Sequence, residues 1–185
     1  MHHSNTLELT QAALAIIDMQ DAFRLKIARF DQMSARIALM TKASTLLNIP
    51  IIVTEQYPKG LGHTADLIKE ALPSDITIIE KTAFSSCGGQ EFCSQLETKR
   101  VKQVIVCGIE AHICVNQTVH DLLASGYQVH LLTDCIGSRQ TRDRKAGLAK
   151  MQLSGAIPSS VEMALFEMMR DAKHEQFKAI QGLVK

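Results

Sequence analysis

The sequence lacks the charge pattern of a protein that binds nucleic acid or an anionic membrane. Its 20 basic and 19 acidic side chains leave a net charge of +1. No block of about five or six like charges occurs along the chain. Attraction to phosphate groups needs such a concentration of cations. We therefore expect neither nucleic acid nor a membrane among its partners.

Long hydrophobic runs are absent as well. The apolar runs over residues 12–17 and 104–107 have the length of strands, far below the ~20 residues that span a bilayer. The first residues, Met1 to Asn5, lack the basic start and apolar stretch of a secretory signal peptide. These absences predict a cytoplasmic protein.

The five cysteines form no disulfide or zinc pattern. They lie at positions 87, 93, 107, 114 and 135, an odd number with irregular spacing and without a C-x-x-C pair. Small secreted domains instead use even sets of cysteines as a disulfide framework. We expect five free thiols, and the question is whether one of them is reactive.

Short β-branched runs alternate with amphipathic stretches along the 185 residues. This alternation predicts an α/β fold, a three-layer α/β/α sandwich with a mostly parallel sheet, in a single domain over residues 1–185. The predicted strands cover residues 13–17, 50–54, 76–79, 103–107, 127–132 and 156–158. The predicted helices cover about 32–47, 64–72, 91–98, 113–125, 142–153, 160–170 and 175–183.

Three chemically capable residues follow strand ends or open the next helix. Asp18 follows the first strand, Lys81 the third, and Cys114 lies near the start of the helix after the fourth. Ligands of open α/β sheets bind beyond the carboxyl ends of the strands. We expect Lys81 and the helix N-terminus to lower the pKa of Cys114, and Asp18 to accept the thiol proton. The alternative is an aspartate that only organises a loop and a solvated lysine.

Other residues near the same strand ends are candidates for the pocket and for transition-state stabilisation. Main-chain N–H groups of the turn near Ala111 and Cys114 are suited to hold an oxyanion. Apolar walls with a few polar groups are usual for small-ligand sites. We expect this lining from Phe23, Gln56, Tyr57, Phe84 and His112, although core packing is an equal reading for the two phenylalanines.

Four segments resemble the isochorismatase-like cysteine hydrolases, a group that includes nicotinamidases and N-carbamoylsarcosine amidohydrolase. They are Ala-Ile-Ile-Asp-Met-Gln-Asp-Ala-Phe at 15–23, Thr-Glu-Gln-Tyr-Pro at 54–58, Glu-Lys-Thr-Ala-Phe-Ser at 80–85 and Gly-Ile-Glu-Ala-His-Ile-Cys-Val at 108–115. The resemblance implies a Rossmann-type strand order of 3-2-1-4-5-6 and a catalytic trio of Asp18, Lys81 and Cys114. It also implies a cis peptide between Ile109 and Glu110, in an oxyanion turn formed by Ile109, Glu110 and Ala111.

Departures from the family pattern narrow the expected activity. The Asp-x-His pair with which nicotinamidases bind a metal is missing from residues 55–63, where His63 stands alone. We therefore expect no metal, no cofactor and no nicotinamidase activity. The cysteine distinguishes the chain from true isochorismatase, so the resemblance implies a small-molecule substrate of the amide, carbamoyl or ester type. Family members often form homo-oligomers, which implies a dimer or tetramer here.

Two other functions remain open at this point. One is a catalytically silent binding or scaffold protein on the same fold. The other is a thiol-redox sensor, in which Cys87 or Cys93 would resolve an oxidised Cys114.

Overall fold

The structure is a computed structural model that describes residues 3–185. The signal-peptide prediction depends partly on Met1 and His2, and the single-domain prediction over residues 1–185 includes them. Both residues lie outside the described part of the chain, and the single-domain assignment stays a prediction. None of the helices in residues 3–185 is long and apolar enough to cross a membrane.

Six strands form one sheet in which every pair of neighbours is parallel. The strands are β1 (Ala12–Ile17), β2 (Ile51–Gln56), β3 (Ile78–Lys81), β4 (Gln103–Ile109), β5 (Gln128–Gly137) and β6 (Ile157–Ser159). Their order is β3-β2-β1-β4-β5-β6. The predicted fold class and strand order are confirmed, and the sheet is parallel throughout.

Within residues 3–185, eight helices accompany the sheet. They are α1 (Phe30–Leu46), α2 (Pro58–Leu61), α3 (Asp66–Lys69), α4 (Gln90–Thr98), α5 (Cys114–Ala124), α6 (Thr141–Leu153), α7 (Val161–Met169) and α8 (Phe177–Val184). Short 3₁₀ turns cover Leu9–Gln11, Asp21–Phe23 and Ser86–Gly88. The predicted helix at 64–72 is reduced to α3, because Thr64 bonds to Glu55 instead of capping the helix.

The core lies in two layers, one on each face of the sheet. One apolar cluster joins α1, α3, α7 and α8 to the sheet, and the other joins α4, α5 and α6. Every residue of β1 and β4 is buried, which explains their continuous apolar sequences. These two strands pair from Ala12 with Gln103 to Ile17 with Gly108. Their carboxyl ends therefore meet at the centre of the sheet, where the chain order reverses.

Candidate active site

Asp18 lies at the centre of the site because it directly follows β1. Its main-chain N–H donates to the Thr54 carbonyl (3.1 Å), and its φ of 51° turns the chain away from the sheet. The Thr54 hydroxyl donates to Asp18 Oδ1 (2.7 Å), and Lys81 Nζ donates to Asp18 Oδ2 (2.7 Å). Both carboxylate oxygens thus have a buried partner. Thr54 was not predicted, although its place opposite Ile17 on β2 follows from the strand register.

Lys81 reaches Asp18 from the edge strand of the sheet. The prediction ended this strand at residue 79, whereas β3 includes Lys81, which pairs with Gln56 of β2. Its Nζ also donates to Gln56 Oε1 (2.9 Å) and to the carbonyls of Ala83 (3.2 Å) and Phe84 (3.0 Å). The side chain is only 6% exposed. The ammonium is therefore fully engaged, in contrast to the alternative of a solvated lysine.

Cys114 opens α5 and faces the same cavity as Asp18. Cys114 is buried, with 7% of its surface exposed. Burial and, after it, repulsion by Asp18 raise the pKa of Cys114 to about 12, while Lys81 acts in the opposite direction. The expected lowering of this pKa is therefore wrong. At neutral pH the cysteine is a thiol beside a carboxylate, so chemistry here requires proton transfer to a base.

The cavity has a volume of about 110 Å³ and mostly apolar walls. Of the predicted lining residues it contains Phe23, Gln56 and Phe84. Leu61 and Ile113 also line it and were not predicted. The complete lining is Asp18, Phe23, Gln56, Leu61, Phe84, Ile109, Glu110, Ile113 and Cys114.

Two predicted lining residues, Tyr57 and His112, lie outside this cavity. Tyr57 has a left-handed backbone (φ 39°), and its ring packs over Gly60 of α2, which leaves it 54% exposed. His112 faces the segment that joins β5 to α6, where its Nδ1 lies 3.1 Å from the Ser138 hydroxyl. In both cases the direction of the side chain is set by a local turn, which sequence spacing does not reveal.

Several main-chain N–H groups in the turn between β4 and α5 lack an acceptor within residues 3–185. The peptide bond between Ile109 and Glu110 is cis. Within residues 3–185, the N–H groups of Glu110 and Cys114 have no hydrogen-bond acceptor. The N–H of Ala111, in contrast, donates to the Gly137 carbonyl (2.8 Å). Ala111 is therefore not available as an oxyanion donor, because it holds the turn against β5.

A salt bridge fixes the outer side of this turn. Glu110 is buried, and its carboxylate accepts hydrogen bonds from the main-chain N–H (2.9 Å) and the Nε (3.0 Å) of Arg139. Glu110 thus presents its main chain to the cavity while its carboxylate is neutralised by Arg139.

The remaining cysteines lie away from Cys114. Cys107 and Cys135 are buried in the core, whereas Cys87 and Cys93 line a separate surface pocket that does not contain Cys114. Neither therefore lies in the cavity as a resolving thiol. His63 bonds to Glu55 (2.9 Å). Within residues 3–185, no group of three or more His, Cys, Asp or Glu side chains is arranged to hold a metal ion.

Comparison with known proteins gives one consistent family. Residues 12–163 match the family described as Isochorismatase domain. Isochorismatase family protein 1B of Dictyostelium discoideum is 40% identical over 94% of this chain and 86% of its own length. Isochorismatase domain-containing protein 2 of Homo sapiens is 39% identical over 94% and 83%. A solved structure described as MAR1 ribonuclease from Caenorhabditis elegans is 38% identical, covers 97% of this chain and 92% of its own, and has a TM-score of 0.91.

Proposed function

The chain belongs to the isochorismatase family, and we propose that it is a cysteine hydrolase that cleaves a small amide, carbamoyl compound or ester through a thioester on Cys114. The observation that carries the proposal is the meeting of three residues from distant parts of the chain. Asp18 and Cys114 line one cavity, and Lys81 donates to Asp18 over 2.7 Å. A nucleophile, its base and a group that orients the base are the parts that covalent catalysis requires.

In the first half of the proposed reaction, Asp18 acts as the base. It takes the proton from the Cys114 thiol while Sγ forms a bond to the substrate carbonyl carbon. The carbonyl electron pair moves onto oxygen, which accepts hydrogen bonds from the free N–H groups of Glu110 and Cys114. When the carbonyl re-forms, the bond to the leaving amine or alcohol breaks, and Asp18 returns the proton to that group.

Water completes the proposed cycle. Asp18 takes a proton from water as its oxygen attacks the thioester carbon, and the carbon–sulfur bond then breaks. The Cys114 sulfur recovers the proton from Asp18, and the carboxylic acid leaves. Throughout, Lys81 and Thr54 keep the two Asp18 oxygens in position through their hydrogen bonds.

A panel of small amides, carbamoyl compounds and esters tests this proposal. We expect turnover by the wild type, a thioester adduct on Cys114 after acid quenching, and no turnover by Cys114→Ala. Asp18→Asn should slow acylation by about 10²–10⁴-fold, the usual contribution of a general base. Cys93→Ala is the matched control, because this thiol lies outside the cavity. Equal behaviour of wild type and Cys114→Ala would contradict the proposal and favour a silent binding protein.

Ribonuclease activity is the second candidate, because a relative that is 38% identical carries that name. A groove of about 760 Å³ between α1 and β5 contains three arginines, Arg29, Arg36 and Arg144. All three are engaged, Arg29 with Gln32, Arg36 with Asp134 and Arg144 with main-chain carbonyls. The cavity at Cys114 is too small for a nucleotide, which favours the acyl substrate. Incubation with single-stranded RNA decides this point: cleavage that depends on Cys114 would displace the acyl-hydrolase proposal.

We propose a small-molecule substrate, a homo-oligomer, and a cytoplasmic location. Size-exclusion chromatography with light scattering tests the homo-oligomer, which a monomer at micromolar concentration would contradict.

A further inference from the structure

The walls of the Cys114 cavity are apolar and close together. Its volume is about 110 Å³. The apolar side chains belong to Phe23, Leu61, Phe84, Ile109 and Ile113. A substrate that fills this space replaces water with hydrocarbon contacts, which favours an apolar acyl group.

The cations around the cavity are already paired. Lys81 Nζ has three protons and four acceptors, among them the Asp18 carboxylate (2.7 Å). Arg139 Nε donates to the Glu110 carboxylate (3.0 Å). No Lys, Arg or His side chain lines the cavity among residues 3–185. An incoming anion would therefore find the Asp18 carboxylate and no free cation.

We infer that this site selects small, uncharged acyl groups and excludes compounds that carry a carboxylate on the acyl side. The inference deepens the proposed function and depends on it only for turnover, because the selection itself follows from the cavity walls and charges. A carboxylate in the cavity would lose its hydration. The hydrogen-bond donors it would find there are the main-chain N–H groups that the proposed reaction assigns to the oxyanion. We expect discrimination of at least about tenfold.

Paired alkylating agents test the selection without turnover. Iodoacetamide and iodoacetate are similar in size, and both place a carbon on the thiolate sulfur while iodide leaves. Their rate ratio at Cys114 is measured by site-resolved mass spectrometry at mildly alkaline pH and divided by the ratio for Cys114 in the urea-unfolded chain. The effect of the raised Cys114 pKa cancels in the rate ratio, because both reagents react with the same thiolate. A normalised preference for iodoacetamide of at least about tenfold is expected, and a ratio near one would overturn the inference.

A matched amide pair separates the inference from the proposed function. Isovaleramide and malonamate have the same shape, with an isopropyl group in one and a carboxylate in the other. Release of ammonia from isovaleramide but not from malonamate supports both statements. Equal hydrolysis of the two overturns the selection and leaves the hydrolase proposal standing. Hydrolysis of neither, with the alkylation preference present, contradicts the proposed function but supports the selection.

A charge-introducing variant tests the electrostatic cause. Phe84 lines the cavity and is 54% exposed, so Phe84→Arg places a cation at the mouth. We expect the relative rate of iodoacetate to rise several-fold. Leu153→Arg is the control, because Leu153 is 90% exposed and lies at the end of α6, outside the cavity. An unchanged ratio in Phe84→Arg would contradict the absence of a cation as the reason for selection.

Discussion

The pKa of Cys114 depends on its burial and on two charged neighbours, and these influences act in different directions. Burial and the Asp18 carboxylate favour the neutral thiol, while the Lys81 ammonium favours the thiolate. The first two effects are larger, since the pKa of Cys114 is raised to about 12. In the proposed mechanism the cysteine therefore remains a thiol until Asp18 removes its proton in the presence of substrate.

Asp18→Asn should change alkylation and catalysis in opposite directions. Without the carboxylate, repulsion of the thiolate is lost, so the pKa of Cys114 falls and labelling by iodoacetamide begins at lower pH than in the wild type. Amide hydrolysis should fall, because the proton acceptor is gone. The measurement is the pH dependence of Cys114 labelling in the two proteins, together with ammonia release from an amide. Labelling that moved to higher pH in Asp18→Asn would contradict the proximity of Asp18 and the thiol.

Among the elements, the junction of β1 and β4 positions both Asp18 and the turn before Cys114. Gly108 lies opposite Ile17 in this register and has a φ of 121°. A Cβ at this position would overlap the Ile17 carbonyl. The glycine therefore lets β4 approach the last residue before Asp18, and the spacing of the two reactive groups depends on it.

Gly108→Ala should damage both stability and the site. The added methyl group must push β1 and β4 apart, and alanine is strained at this φ, so we expect a loss of about 1–3 kcal/mol in unfolding free energy. Acylation of Cys114 should slow as well, because Asp18 moves with β1. The measurements are urea unfolding and the rate of thioester formation. Gly182→Ala on α8 is the control, because no atom lies within 4 Å of the added Cβ. A Gly108→Ala protein with wild-type stability and rate would refute this account of the junction.

At the scale of the whole molecule, His130 is a buried titratable group of the sheet that the proposed chemistry does not use. His130 lies on β5 between β4 and β6, with its Nε2 3.1 Å from Gln128 Oε1 and its Nδ1 without a partner in residues 3–185. Burial lowers the pKa of His130 to about 4, from an ordinary value of 6.5. The folded chain thus holds a neutral imidazole where the unfolded chain binds a proton.

The fold should therefore lose stability in mild acid. Below pH 6.5 His130 binds a proton in the unfolded state, whereas in the folded state it stays neutral down to about pH 4. The free energy of unfolding therefore falls across this interval. The full loss is about 3 kcal/mol, from the shift multiplied by 1.36 kcal/mol per pKa unit. His130→Gln should lack this contribution. Urea unfolding at neutral pH and near pH 4 compares the two proteins, and the same pH dependence in both would show that His130 is not responsible.

The sequence predicted the fold class. Continuous apolar runs such as residues 12–17 and 104–107 indicated buried parallel strands, because a strand covered on both faces has no polar alternation. Asp18, Lys81 and Cys114 were recognisable because they end strands or open a helix. Strand order came from the family resemblance, since periodicity does not specify which strands are neighbours.

Only the tertiary structure decided what each side chain meets. Tyr57 and His112 are close in sequence to lining residues yet face away, and Thr54, Leu61 and Ile113 were not predicted to contribute to the site. The direction of the thiol pKa also depended on burial, which outweighs the nearby lysine. Sequence patterns record which face of an element is apolar. The distances and desolvation that govern reactivity arise from contacts between distant segments, which exist only once the chain has folded.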